Sequence, residues 1–120
     1  MSSFLQKLHI VPKGWGFEKW ITNTELYCGK LLYIIKDRKC SWHYHKNKHE
    51  TFYIQSGSII LRYGIDLDIK NSTSTILKKG DYFIVPPMLV HQMEAIEDTE
   101  LFEFSTLHED SDSYRIEKGD

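Results

Sequence analysis

The residues best suited to chemistry in this chain are His43, His45 and Glu50, in the run HYHKNKHETFYIQSG, and His91, at the end of GDYFIVPPMLVH. Side chains alternate faces along a strand, so His43 and His45 project the same way. A carboxylate after a short connection closes a third corner, and His91 supplies a fourth. Three neutral imidazole nitrogens and one carboxylate oxygen suit a borderline divalent transition metal: Fe, Mn, Ni, Co or Zn. An isolated H-x-H is common and usually only satisfies a hydrogen bond. What raises this pair above that is the ordered company of Glu50, Gly57, Gly80, Pro86 and His91. His49 and Glu94 are the alternative donors, and the spacing argues against them.

These residues need a scaffold, and the bulk numbers bound it. A chain of 120 residues is one domain with room for a core. Apolar content of 41% and aromatic content of 13% fit a folded globular chain. A net charge of -2 carries no footprint for nucleic acid or an anionic membrane surface. Two cysteines, Cys28 and Cys40, are too few for a disulfide framework and read as reduced thiols. MSSFLQKLHIVPKG lacks the apolar run of a signal peptide, and no stretch approaches a membrane span. The expectation is a soluble cytoplasmic domain over 1–120, with an N-terminal aromatic arm (1–24), a barrel (25–106) and a polar C-terminal tail (107–120).

Along the chain, residues 1–14 read as an arm or first edge strand. GWGFEKWITN follows, too apolar for a free tail, and its Trp15 and Trp20 read as core or interface filling. Strands are expected over 26–35, 40–45, 50–55, 58–63, 65–69, 75–77, 82–85, 90–96 and 101–106, with 70–74 as a hairpin tip. On 50–55 the inward face should carry Glu50, Phe52 and Ile54. Cys40, three before His43, should face away from the histidines. His9, His49 and His108 read as surface residues, with His108 joining the pocket only if the tail folds over it. No segment reads as a helix. Short strands at regular spacing argue for an all-β sandwich or barrel, and a jelly roll of two facing antiparallel sheets encloses a central pocket.

The same residues resemble the cupin superfamily. Its first motif, G-x5-H-x-H-x(3,4)-E-x6-G, is met by His43, His45, Glu50 and Gly57, with Asp37 at the leading glycine. Its second, G-x5-P-x-G-x2-H-x3-N, is met by Gly80, Pro86 and His91, with Met88 at the second glycine and Ala95 at the asparagine. The resemblance implies a single cupin jelly-roll barrel with a divalent metal on His43, His45, Glu50 and His91. A narrower resemblance, carried by GWGFEKWITN, YCGKLL, SWHYHKNKHETFY, EFST and DSYRI, is to small sugar-isomerase cupins akin to type II mannose-6-phosphate isomerase. The chain departs from that group at its end, reading KGD where Y-G-R is usual.

That branch implies metal-dependent aldose–ketose isomerisation of a sugar or sugar phosphate. It needs a Lewis acid, a base that moves one proton, and cations that hold the substrate. Glu50 is a ligand and candidate base. Lys48 is a candidate donor to a substrate oxygen or phosphate, or a solvated turn lysine. Glu103, between Phe102 and Phe104, faces either the pocket or solvent by strand alternation; the resemblance favours the pocket and a second acid/base role. Arg115 corresponds to an arginine suited to phosphate, or is a tail residue paired with Asp112 or Glu117. Two other functions fit the ligand set: an Fe(II)-dependent cupin dioxygenase, and a non-catalytic sugar- or metabolite-binding cupin. Cupins commonly dimerise through edge strands, so a homodimer is expected, with the aromatic N-terminal segment as a contact.

Overall fold

Period-two burial runs through the strands and decides which side chains meet. In the computed structural model, which describes residues 4–120, eleven strands form two antiparallel sheets. They are β1 (His9–Lys13), β2 (Gly16–Asn23), β3 (Cys28–Ile34), β4 (Trp42–Tyr44), β5 (Glu50–Ser56), β6 (Ser58–Gly64), β7 (Thr73–Lys78), β8 (Tyr82–Val85), β9 (Val90–Ala95), β10 (Thr99–Ser105) and β11 (Tyr114–Glu117). One sheet has the order β1-β2-β3-β10-β5-β8 and the other β11-β4-β9-β6-β7. This is the all-β jelly roll expected, with two facing sheets. The only helical segments among the described residues are two short 3-10 turns, Ile69–Asn71 and Asp110–Asp112. Neither approaches the length and apolarity needed to cross a membrane.

The inward rows are divided along their length. On β3 the buried row is Cys28, Lys30, Leu32 and Ile34; on β5 it is Glu50, Phe52 and Ile54; on β10 it is Thr99, Leu101 and Glu103. Across the gap, β9 turns His91, Met93 and Ala95 inward. One half of the interior is thus apolar, centred on Ile34, Ile54, Ile59, Leu61 and Leu101, each fully buried. Burying such side chains contributes about 1.5–3 kcal/mol each. The other half carries Lys30, Glu50, His91 and Glu103, which leaves a polar pocket on a closely packed base. Both cysteines are buried and unpaired.

The 65–69 segment departs from expectation. It is not a strand: Ile65 and Leu67 are exposed, and Ile69 opens a 3-10 turn. The aspartates are the reason. Asp66 accepts from the Asp68 backbone N–H at 2.8 Å, and Asp68 from that of Lys70 at 3.0 Å. Side-chain acceptors that serve the local backbone compete with sheet pairing, and they override the apolar alternation. The expected tip at 70–74 is likewise part of this turn and the start of β7.

Two residues at motif glycine positions show why glycine is usual there. Asp37 has φ 68° and Met88 φ 72°, the left-handed region. The Met88 N–H nevertheless donates to the His45 carbonyl at 2.7 Å, so the turn ties β4 to the segment leading into β9. Aspartate tolerates this backbone better than methionine, whose side chain here is exposed. Met88→Gly is therefore expected to stabilise the fold by about 0.5–1 kcal/mol, the relieved strain outweighing the added chain entropy. Denaturant unfolding of the two proteins checks this; a lower midpoint for the variant contradicts it.

Candidate metal centre and the surrounding pocket

Strand register brings the histidines together. His43 on β4 and His91 on β9 are direct cross-strand partners, and His45 lies one residue past the end of β4. Ring centroids are 4.5 Å apart for His43–His91, 5.0 Å for His43–His45 and 5.8 Å for His45–His91. One nitrogen from each ring falls within 4.8 Å of the others, a cluster that can hold a divalent metal. Glu50 opens β5 on the facing sheet, and its Oε2 lies 3.2 Å from His91 Nε2 and 3.3 Å from His45 Nε2.

The backbone sets the ring tautomers. His43 Nδ1 lies 3.0 Å from the Ser41 carbonyl, His45 Nδ1 3.0 Å from the Asp112 carbonyl and His91 Nδ1 2.9 Å from the Leu89 carbonyl. A carbonyl can only accept, so each Nδ1 carries the proton and each Nε2 presents a lone pair. The Glu50 carboxylate then faces two lone pairs. Glu50 Oε2 and His91 Nε2 are buried, with no aligned hydrogen-bond partner among the described residues. Buried acceptors so close to one another are costly unless a cation lies between them. The donor set therefore fits a metal. Burial and the neighbouring His91 and His45 rings hold His43 well below 6.5, in the neutral form that ligates.

A charged layer surrounds this centre. Lys48 is buried, not a solvated turn residue. Its Nζ is 2.5 Å from Glu103 Oε2, 3.5 Å from Glu50 Oε1 and 2.9 Å from His108 Nδ1. Burial disfavours the ammonium, but Glu103 and Glu50 reverse that and raise its pKa. Its ammonium thus bridges two carboxylates and a histidine. Glu103 faces the pocket, and Ser105 Oγ donates to it at 3.2 Å. Arg115 lines the cavity from an exposed position and forms no ion pair with Asp112 or Glu117.

The C-terminal segment folds over the pocket and brings His108 in. His108 lies beside Lys48, with Nε2 2.9 Å from Asp110 Oδ1; burial, then the Lys48 and Lys30 charges, lower its pKa. His9 and His49 are exposed as expected. Asp112, not foreseen, holds the segment down. Its carboxylate accepts from the backbone N–H groups of Lys46, Asn47 and Lys48 at 2.9–3.2 Å, while its carbonyl orients His45. The signal for it was faint, one of several acids in a polar tail. Lys30 had a clearer one, a lysine on the buried stripe of β3. It pairs with Glu18 at 3.4 Å and lies 4.3 Å from the Trp20 ring centroid. Trp20 thus supports Lys30 from its ring face, while Trp15, a core residue, itself lines the cavity. Cys40 also lines the cavity, against the expectation that it faces away, because regular alternation begins only at Trp42. Burial raises its thiol pKa far above the ordinary value, so it is neutral and a poor ligand.

The purified chain loaded with a divalent metal is expected to hold about one ion, and His91→Ala to lose it; Asp112→Ala should weaken affinity about 10–100-fold by freeing His45 and the 46–48 turn. Acid should act in the same direction. The folded His43 resists protonation, so stability of the stripped protein is lost as pH falls below 6.5. Elemental analysis and melting curves across pH check both; undiminished metal in His91→Ala contradicts the assignment.

With this geometry in hand, comparison with known proteins is informative. Residues 31–107 match the cupin domain family. No curated protein matches the sequence. Among solved structures, the capsular polysaccharide assembling protein CapF from Staphylococcus aureus superposes with a TM-score of 0.77 at 18% identity, covering 95% of this chain and 35% of that one. KdgF from Halomonas sp. gives 0.73 at 15% identity, covering 88% and 90%. Oxalate decarboxylase from Bacillus subtilis gives 0.77 at 19% identity, covering 90% and 30%. The chain spans about a third of the CapF and decarboxylase chains. At these identities the likeness is one of fold. The family match, the facing sheets and the converging histidines agree: the chain belongs to the cupin family.

Proposed function

We propose that this chain is a metal-dependent isomerase of a small sugar or sugar phosphate, with Glu50 as the fourth ligand beside His43, His45 and His91. The observation that carries the reading is Glu103, a buried carboxylate held by Lys48 in the same cavity as the ligand cluster. A bound divalent ion would polarise a carbonyl and its neighbouring hydroxyl. Glu103 is then placed to take a proton from the carbon beside that carbonyl and return it to the adjacent one. Lys48 positions Glu103 and Glu50, and its ammonium offsets part of their negative charge. The contact from Lys48 to His108, and from His108 to Asp110, gives the site a hydrogen-bonded connection to an exposed group. Arg115 at the mouth contacts the substrate. The association of CapF with capsular polysaccharide supports a carbohydrate ligand by analogy.

A homodimer accompanies this reading. The outer face of the six-stranded sheet exposes Ile21, Tyr82, Ile84 and Phe104, a spread of apolar side chains suited to a second copy. A dimeric mass in sedimentation is expected, and a monomer at micromolar concentration argues against it.

The deciding assay follows conversion of mannose 6-phosphate, glucose 6-phosphate and free pentoses to their ketoses by the metal-loaded chain. Glu103→Gln is expected to lower kcat about 10²–10⁴-fold with metal content unchanged. Oxygen uptake with Fe(II) and no isomerisation transfers the reading to a dioxygenase. Ligand binding with no turnover transfers it to a binding protein.

A further inference from the structure

The pocket extends well beyond the metal cluster. An inner cavity of about 90 Å³, lined by His43, His45, His108, Glu50, Lys48 and Glu103, leads to an outer one of about 410 Å³ lined by Lys13, Asp110, Ser113 and Arg115. All four outer residues also line the inner cavity, so the two are continuous. The inner space admits several waters and so only a short carbon chain, whereas the outer one takes a larger group.

The outer walls come from both sheets. Lys13 ends β1, the edge strand of the six-stranded sheet, and Arg115 lies on β11, the edge strand of the five-stranded one. Among the described residues neither cation has an ion-pair partner. Asp110, the acid in the same lining, is already bonded to His108 at 2.9 Å. The whole lining balances: Lys13, Lys30, Lys48 and Arg115 against Glu18, Glu50, Glu103 and Asp110. A divalent ion on the histidine cluster leaves the pocket two positive charges in excess. Lys30 adds to the pull inside, because it is buried and its one ionic contact, to Glu18, is long at 3.4 Å.

We propose that Lys13 and Arg115 form an anion subsite in the outer cavity and that the ligand is a phosphate monoester. Its phosphate lies between the two cations while its other end reaches the histidine cluster. A dianion matches the excess charge, and a planar guanidinium with an ammonium opposite is a pairing that holds phosphate oxygens well. The inference rests on the proposed function for the ligand's inner end and on the outer cavity alone for its charged end. It selects sugar phosphates over free sugars and assigns a role to Lys13.

The test is calorimetric titration of the metal-loaded full chain with glucose 6-phosphate, glucose, glucuronate and inorganic phosphate. Glucose 6-phosphate is expected to bind at least about tenfold more tightly than glucose, the advantage expected of charge-assisted hydrogen bonds, and to weaken with salt. Lys13→Ala and Arg115→Ala should each lose part of that advantage and the double variant all of it, with metal content and melting temperature held. Arg115→Glu should exclude the phosphate outright. Equal affinity for glucose, a full advantage in the double variant, an equal preference for glucuronate, or no binding of any probe overturns the proposal. With cobalt in the site, an unchanged spectrum on adding inorganic phosphate is expected, and a shifted one would place the anion on the metal instead. Phosphate-dependent binding without turnover sinks the isomerase reading and leaves this subsite standing.

Discussion

Three imidazole lone pairs and a carboxylate oxygen meet inside this barrel, with each Nδ1 proton already committed to a backbone carbonyl. That arrangement repels itself. It is held because each element around it is anchored elsewhere: His43 and His91 by cross-strand pairing, Glu50 by the first position of β5, His45 by the carbonyl of Asp112. The apolar half of the interior supplies the stability that lets the polar half stay costly. A cation at the meeting point turns the repulsion into attraction, so metal binding and the integrity of this end of the fold are coupled.

The charged layer extends the same logic outward. Lys48 is buried by right of three partners, and each of those partners depends on it in turn. Removing one member leaves another buried charge uncompensated, which costs more than the lost contact. The pocket is thus a network, in which Lys48 holds Glu103 and Glu50 in place together. The C-terminal segment completes it. Asp112 grips the turn that carries Lys48 with its carboxylate and sets the His45 tautomer with its carbonyl, so one residue couples the ligand cluster to the layer beside it.

The two left-handed residues show how far a motif can drift. Asp37 and Met88 stand where the family pattern has glycine, and both keep the glycine-like backbone. The turns are therefore demanded by the strands they join, and the side chains endure the strain. The 65–69 segment shows the opposite balance: its Ile65 and Leu67 side chains are exposed, so two aspartates were enough to replace a strand with a turn.

The amino-acid sequence by itself determined the all-β class, most strand positions and the four residues that converge, because period-two alternation and motif spacing are local properties that survive translation into space. It also specified that Glu50, Phe52 and Ile54 share one face. Tertiary structure decided the rest. Whether Glu103 turned inward, whether Lys48 was solvated, and whether His108 reached the pocket all depended on which strands became neighbours and on where the tail lay. Alternation offers two faces and does not say which is buried until a partner sheet is present. Lys13 and Arg115, separated by almost the whole chain, line one cavity only because the edges of the two sheets come together.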